Sequence, residues 1–260
     1  MQTLRRDKTS LHIHDAGPRA GRVVMFANSL GTDLRVWDAL LEKVPNDLRI
    51  VRYDKRGHGL SDCPPAPYDM NTLTDDAEAV AEALNVRDIT FVGLSIGGLI
   101  GQGLAARRPD LVKALVLMDT GAKIGTPEMW QDRIDALRAD GLEAMADAIM
   151  QRWFMPEFRN SEAVAPWRNM VTRTPLEGYI GCSAAIAATD LTGVTPNIRC
   201  PVLALVGAGD KATTPDLVEW TAKLCNAEFH VIPNAGHLPC VERPDETAAA
   251  ILAFLERTAT

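Results

Sequence analysis

The sequence predicts an α/β protein: a mostly parallel, doubly wound sheet of about eight strands flanked by helices, with a helical cap inserted between two of the strands. Short β-rich runs recur along the 260 residues with helical patterns between them. Several of those runs are apolar almost throughout, as strands covered on both faces must be. One long stretch, residues 123–194, carries no strand signal at all.

Taken in order, "LHIHDAG" (11–17) and "RVVMFA" (22–27) are expected to form an N-terminal antiparallel pair. The strands "RIVRYD" (49–54), "DITFVG" (88–93), "KALVLMD" (113–119), "PVLALVG" (201–207) and "EFHVIPN" (228–234) follow. Helices are expected near 34–43, 72–84, 96–107, 214–224 and 244–256. Thr214-Pro215 and Arg243-Pro244 suit helix starts, because proline at the first helical position loses no hydrogen bond. Within 123–194, Thr126 can cap a helix with Pro127 and Glu128 in its first turn. Trp130, Ile134 and Leu137 recur at helical spacing until Gly141, and Leu142, Met145, Ile149 and Trp153 form a second stripe. The expected division is a core of 1–122 and 195–260 with 123–194 as the cap.

A net charge of −7 without a Lys/Arg run argues against a nucleic-acid partner. No apolar run is long enough to span a bilayer, and "MQTLRRDKTS" has no apolar signal region. The five cysteines are scattered without metal-ligand spacing. These features lead to the expectation of a cytoplasmic protein with reduced thiols, no metal and no cofactor.

The chemistry concentrates in "VGLSIGGLIGQG" (92–103). No lysine follows these glycines, so they do not make a phosphate-binding P-loop, and 93–98 reads G-L-S-I-G-G rather than G-x-G-x-x-G. The stretch does fit G-x-S-x-G between a strand and a helix, with Gly93 and Gly97 flanking Ser95. A serine at so tight a turn takes strained backbone angles, and side chains at the flanking positions would clash. Serine needs a base to remove its proton and an acid to orient that base. "AGD" after the strand 201–207 places Asp210, and "AGH" after 228–234 places His237, both beyond the carboxyl ends of strands. Asp119 also ends a strand and stays open as an alternative acid. Two backbone N–H groups are needed for an oxyanion: Ile96 follows the serine, and Leu30 lies in the loop "NSLGTD" after 22–27.

"NSLG", "YDKRGHGLSD", "GLSIGG", "GAGD" and "NAGH" together resemble the α/β-hydrolase superfamily over essentially the whole chain. Asn28-Ser29 departs from the usual HG-x oxyanion loop, and Asp54 and Arg56 of "YDKRGHGLSD" read as architectural. "AKIGTPEMW", "TPLEGYIGCSAAIAATDL" and "NSLGTDLRVWD" resemble the 3-oxoadipate enol-lactonases more narrowly. The resemblance implies Ser95, Asp210 and His237 as nucleophile, acid and base, Leu30 and Ile96 as oxyanion donors, and an anionic lactone as substrate. Residues 151–175 hold Arg152, Arg159, Arg168 and Arg173 against Glu157 and Glu162, a local positive excess in an acidic chain. With Arg133, these are candidates to hold a substrate carboxylate in bidentate fashion; Trp130, Trp153 and Trp167 are candidates to wall the pocket. The alternatives are a carboxylesterase, another lactonase or a C–C bond hydrolase with the same triad, and, from another class, a small-molecule receptor on the same scaffold.

Overall fold

The computed structural model describes residues 2–258. Its centre is one eight-stranded sheet: β1 (Gln2–Arg6), β2 (Thr9–Ala16), β3 (Val23–Ala27), β4 (Arg49–Tyr53), β5 (Ile89–Leu94), β6 (Val112–Met118), β7 (Val202–Gly207) and β8 (Glu228–Ile232). The spatial order is β1-β2-β4-β3-β5-β6-β7-β8. From β4 to β8 every pair is parallel, while β1–β2 and β2–β4 are antiparallel. Strands β3, β5 and β7 are buried at every position. This is why they read as unbroken apolar runs.

The N-terminal pairing differs from expectation. β2 does not pair with β3; it lies between β1 and β4, and β3 lies between β4 and β5. Adjacency in sequence misleads here because β4 returns parallel to β3 and takes the place beside it. β1 escaped notice because "QTLRR" is an edge strand with no fully buried side chain, so it has no apolar alternation to display.

Helices fill the connections. α1 (Asp38–Leu41) follows a single 3₁₀ turn at Leu34–Trp37, and α2 (Met70–Ala83) and α3 (Ile96–Arg107) precede β5 and β6. Between β6 and β7 come α4 (Pro127–Trp153), α5 (Pro156–Arg159), α6 (Ala165–Thr172) and α7 (Leu176–Ala187), with no strand among them. α8 (Pro215–Leu224), α9 (Pro239–Glu242) and α10 (Pro244–Arg257) complete the chain. Right-handed crossovers place α1 on one face and α2, α3 and α8 on the other; accordingly α2 packs on α3, and α10 returns against α1. α4 begins where the Thr126 side chain accepts the Met129 N–H, and it breaks at Gly141, whose φ of 77° and ψ of 175° are not helical. Its two halves pack against α6 and α7 above the carboxyl edge of the sheet.

One close approach fixes where that edge can carry chemistry. A Cβ on Gly97 would lie 2.1 Å from the Ala27 carbonyl oxygen, and a Cβ on Gly93 would lie 2.3 Å from the Gly97 oxygen. Backbone cannot yield as a flexible side chain would, so α3 sits this close to β3 and β5 only because both residues are glycine. Gly97→Ala is expected to destabilise the fold by about 1–3 kcal/mol, the ordinary cost of overpacking. Urea unfolding followed by tryptophan fluorescence measures it; an unchanged midpoint would contradict the close approach.

Candidate active site

Ser95 stands between β5 and α3 with φ 58° and ψ −117°, a conformation that costs a non-glycine residue on the order of 1–3 kcal/mol. The surroundings hold it there. Its N–H donates to the Met118 carbonyl at 2.9 Å, and its own carbonyl accepts from Gly98 N–H at 2.8 Å and Thr120 Oγ1 at 2.7 Å. Gly98 leaves room for that threonine, since a Cβ there would fall 2.5 Å from the Thr120 methyl. The turn starts a helix at the next residue, Ile96. The N–H groups of Leu30 and Ile96 have no hydrogen-bond partner among the described residues, as an oxyanion site requires.

Asp210 and His237 come together from the loops after β7 and β8. Asp210 Oδ2 accepts from His237 Nδ1 at 2.9 Å, and both side chains are almost wholly buried. Burial pushes the Asp210 pKa up. The His237 charge and hydrogen bonds from His237, Thr213 and Ala212 outweigh it and hold that pKa below the ordinary carboxylate value. Thr213 is a residue that sequence reasoning missed. Its Oγ1 donates to Asp210 Oδ2 at 2.6 Å and lies 3.3 Å from His237 Nδ1. The signal was present as a threonine three residues past an aspartate, the spacing of local side-chain-to-backbone turns; Thr213 N–H indeed lies 3.2 Å from Asp210 Oδ1.

Asp119 competes for the same histidine by position but not by bonding. Ligand atoms of Asp119, Asp210 and His237 lie within 4.8 Å of one another. Asp119 Oδ1 accepts the Gly207 N–H at 2.9 Å, tying the end of β6 to the end of β7, and Oδ2 has no partner. Burial first, and then the Asp210 charge, push its pKa well above the ordinary value. Two carboxylates this close disfavour one another's charge, and the surroundings favour the charged form at Asp210 over Asp119.

The serine and the histidine are less tightly joined. Ser95 Oγ makes no hydrogen bond among the described residues, and His237 Nε2 has Ser29 Oγ at 3.5 Å. Proton transfer between them needs a small side-chain adjustment, of a kind that substrate binding commonly brings. The cap steadies the histidine loop. His237 N–H donates to the Trp153 carbonyl at 2.8 Å, while buried Glu242 accepts from Gly236 N–H at 2.6 Å and from Met155 N–H at 2.9 Å.

The cap arginines divide into two groups. Arg133 is half-buried, donates to Tyr179 Oη at 2.6 Å and lies over the Trp130 and Tyr179 rings at 5.4 and 5.6 Å. Its buried Nε is unpartnered. The Arg152 pKa is lowered, by partial burial first and then by the Arg133 charge, so the two guanidiniums sense one another. Tyr179 and Trp153 lie against the loop after β3: a Cβ on Gly31 would meet their rings at 2.9 and 3.4 Å. Trp130 is fixed by its indole N–H on the Ile124 carbonyl. Arg168 does not join this group, because Glu143 at 2.7 Å and Asp147 at 2.9 Å hold its guanidinium on the cap surface. Trp167 packs near Phe154 and lines a separate cavity of about 780 Å³ between α6 and the 3₁₀ turn. That cavity is lined by none of Ser95, Asp210 and His237; its three acids are already occupied, Asp33 by Arg35, Asp38 by Arg52 and Asp54 by His12.

A family model described as "Alpha/beta hydrolase family" matches residues 16–250. The chain belongs to the α/β-hydrolase family. This hydrolase is 33% identical to 3-oxoadipate enol-lactonase 2 of Acinetobacter baylyi, over 98% of this chain and 96% of that protein. Among solved structures it is similar to the enol-lactonase from Burkholderia xenovorans LB400, with a TM-score of 0.94, 35% identity and coverage of 98% of this chain and 100% of that one. It is also similar to a thermophilic esterase from Thermogutta terrifontis, solved with malate bound, at a TM-score of 0.92 and 29% identity over the full length of both. No helix among the described residues is long and apolar enough to cross a membrane.

The division of labour between the two aspartates is open to direct measurement. Asp210→Asn is expected to lower kcat about 10⁴-fold, as loss of the charged orienting acid does in other triads. Asp119→Asn keeps an acceptor for the Gly207 N–H and is expected to cost far less. Steady-state kinetics on any ester the hydrolase turns over ranks the two; the reverse order would make Asp119 the acid.

Proposed function

We propose that this hydrolase opens 3-oxoadipate enol-lactone to 3-oxoadipate through an acyl-enzyme on Ser95. His237 Nε2 takes the Ser95 proton as Oγ attacks the lactone carbonyl, and the developing oxyanion faces the N–H groups of Leu30 and Ile96. Asp210 keeps the imidazole in the tautomer with its proton on Nδ1 and stabilises the imidazolium that forms. Collapse of the intermediate expels an enol oxygen. The enol tautomerises to a ketone, so ring opening needs modest acid assistance and does not readily reverse. Water activated by His237 then releases the acid from Ser95.

The observation that supports the anionic substrate is the arginine pair. Arg133 and Arg152 have no carboxylate partner among the described residues, and Arg133 is one tyrosine away from the loop that carries Leu30. An unpaired guanidinium half-buried among aromatic rings is costly unless something anionic visits it. The enol-lactonase relatives and the esterase solved with malate point to the same chemistry. The esterase likeness also favours a second reading, a carboxylesterase for small esters, which the same site could serve without the arginines.

The two readings separate by substrate. The hydrolase is expected to turn over the enol-lactone with a much higher kcat/KM than p-nitrophenyl acetate, and Ser95→Ala to abolish both, a loss on the order of 10⁶ in kcat. Arg133→Met is expected to raise KM for the lactone by about 10- to 100-fold, the worth of a hydrogen bond to a charged group. It should leave p-nitrophenyl acetate unaffected. Uncharged esters turning over far better than the lactone would favour the esterase.

A further inference from the structure

The turn "YDKRGHG" is architectural at Asp54 and Arg56. Asp54 accepts from the N–H groups of Leu34 and Leu60, and Arg56 pairs with the buried Asp76. Lys55 does something else. It is buried, with 2% of its surface exposed, and no carboxylate lies within ion-pair distance of it among the described residues. Its ammonium donates to two backbone carbonyls, Ser29 O at 2.6 Å and Thr32 O at 3.4 Å. A buried, uncompensated cation is expensive, so its position calls for a physical account.

The account lies in the peptide it grips. The Ser29 carbonyl and the Leu30 N–H belong to one trans peptide unit and point in opposite directions. The same carbonyl also accepts Thr32 Oγ1 at 2.9 Å and Thr32 N–H at 3.3 Å. His58, from the same turn as Lys55, accepts the Gly31 N–H at 3.0 Å. The back of the loop is thus bound at Ser29, Gly31 and Thr32, and the Leu30 N–H between them faces the other way, without a partner among the described residues. We propose that Lys55 is a positioning residue of the oxyanion hole: its ammonium fixes and polarises the Ser29–Leu30 peptide from behind, which strengthens the Leu30 N–H as a donor to the oxyanion. This rests on the serine-hydrolase mechanism proposed above, but not on which ester is the natural substrate.

Burial lowers the Lys55 pKa from 10.5 to about 8, so the charge is lost on moderate alkalinisation. The other titratable groups facing it are silent in that range. Burial pushes the Cys182 thiol of α7 up to about 12 and keeps His58 neutral, and the carboxylates of Asp54 and Asp33 stabilise the ammonium at longer range. The sign separates this effect from unfolding. Between about 8 and 10.5 the folded protein binds fewer protons at Lys55 than the unfolded chain, so this group's contribution to stability rises with pH while the oxyanion hole weakens.

The test is the pH profile of kcat/KM, which reports groups of the free enzyme, for p-nitrophenyl acetate, in the wild type, Lys55→Gln and Lys55→Met. Wild-type kcat/KM is expected to fall above about pH 8 with unchanged tryptophan fluorescence. At pH 7 both variants should run roughly 10- to 100-fold lower, short of the loss from deleting a donor outright, with Lys55→Gln the milder because it keeps a neutral donor. Neither variant should show the alkaline limb. Variants that match the wild type, or that keep its alkaline limb, overturn the proposal. If neither variant folds, the wild-type profile decides: a flat line to pH 10 overturns it, and a fall near pH 8 in folded protein supports it. Slow enol-lactone turnover beside normal p-nitrophenyl acetate kinetics would refute the substrate assignment and leave this inference standing.

Discussion

Everything at the carboxyl edge of the sheet depends on holding one serine at a positive φ. The strained turn at Ser95 persists because its own N–H and carbonyl are both bound, to Met118, Gly98 and Thr120, and because glycines at 93, 97 and 98 let backbone and the Thr120 side chain come within contact. Relaxing the turn would break those bonds together, so the surrounding packing over-determines the strain. The same geometry starts α3 at Ile96, and a helix N-terminus is where a developing negative charge is best received. The loop from β3 approaches that terminus because Gly97 rests on Ala27.

The second organising fact is how charge is rationed in a buried site. Two carboxyl groups, Asp119 and Asp210, the His237 imidazole and the Lys55 ammonium are all buried, and each has a distinct environment. Asp210 is bound by Thr213, Ala212 and His237, which hold its pKa below the ordinary carboxylate value; Asp119 is buried on a single amide, and its pKa is pushed well above that value. Lys55 is held by the Ser29 and Thr32 carbonyls of the loop after β3. The cap closes over this arrangement through Trp153, whose carbonyl holds the His237 backbone, and through Glu242, which binds both the cap linker and the histidine loop. The end of α4 and the loop that carries His237 are therefore mechanically tied.

Much of this was legible in the sequence, and what was not had physical reasons. The buried strands announced themselves by unbroken apolar runs, and α3 and the break at Gly141 fell where the residues indicated. Ser95, Asp210 and His237 stood out as candidates because each sits in a short glycine-bearing turn at a strand end, and the structure brings the last two to 2.9 Å of one another. β1 was invisible because an edge strand has no buried face, and the partner of β2 was misjudged because β4 inserts between it and β3. Among the arginines, composition pointed to the cap but could not distinguish members. Arg168 meets acids 25 and 21 positions earlier, whereas Arg133 meets a tyrosine 46 positions later, and only packing reveals either. Lys55 drew no reading from the sequence, since nothing in its neighbours' identities reveals that its ammonium reaches the Ser29 carbonyl.

The most direct measurement is a crystal structure of the hydrolase inactivated by a phosphonate ester that carries a carboxylate arm, as a mimic of the tetrahedral intermediate. The account predicts phosphorus bonded to Ser95 Oγ, the phosphonyl oxygen within hydrogen-bond distance of the Leu30 and Ile96 N–H groups, His237 Nε2 close to the leaving-group position, and the carboxylate on Arg133. A phosphonyl oxygen turned away from those two amides, or an adduct on any other side chain, would contradict it.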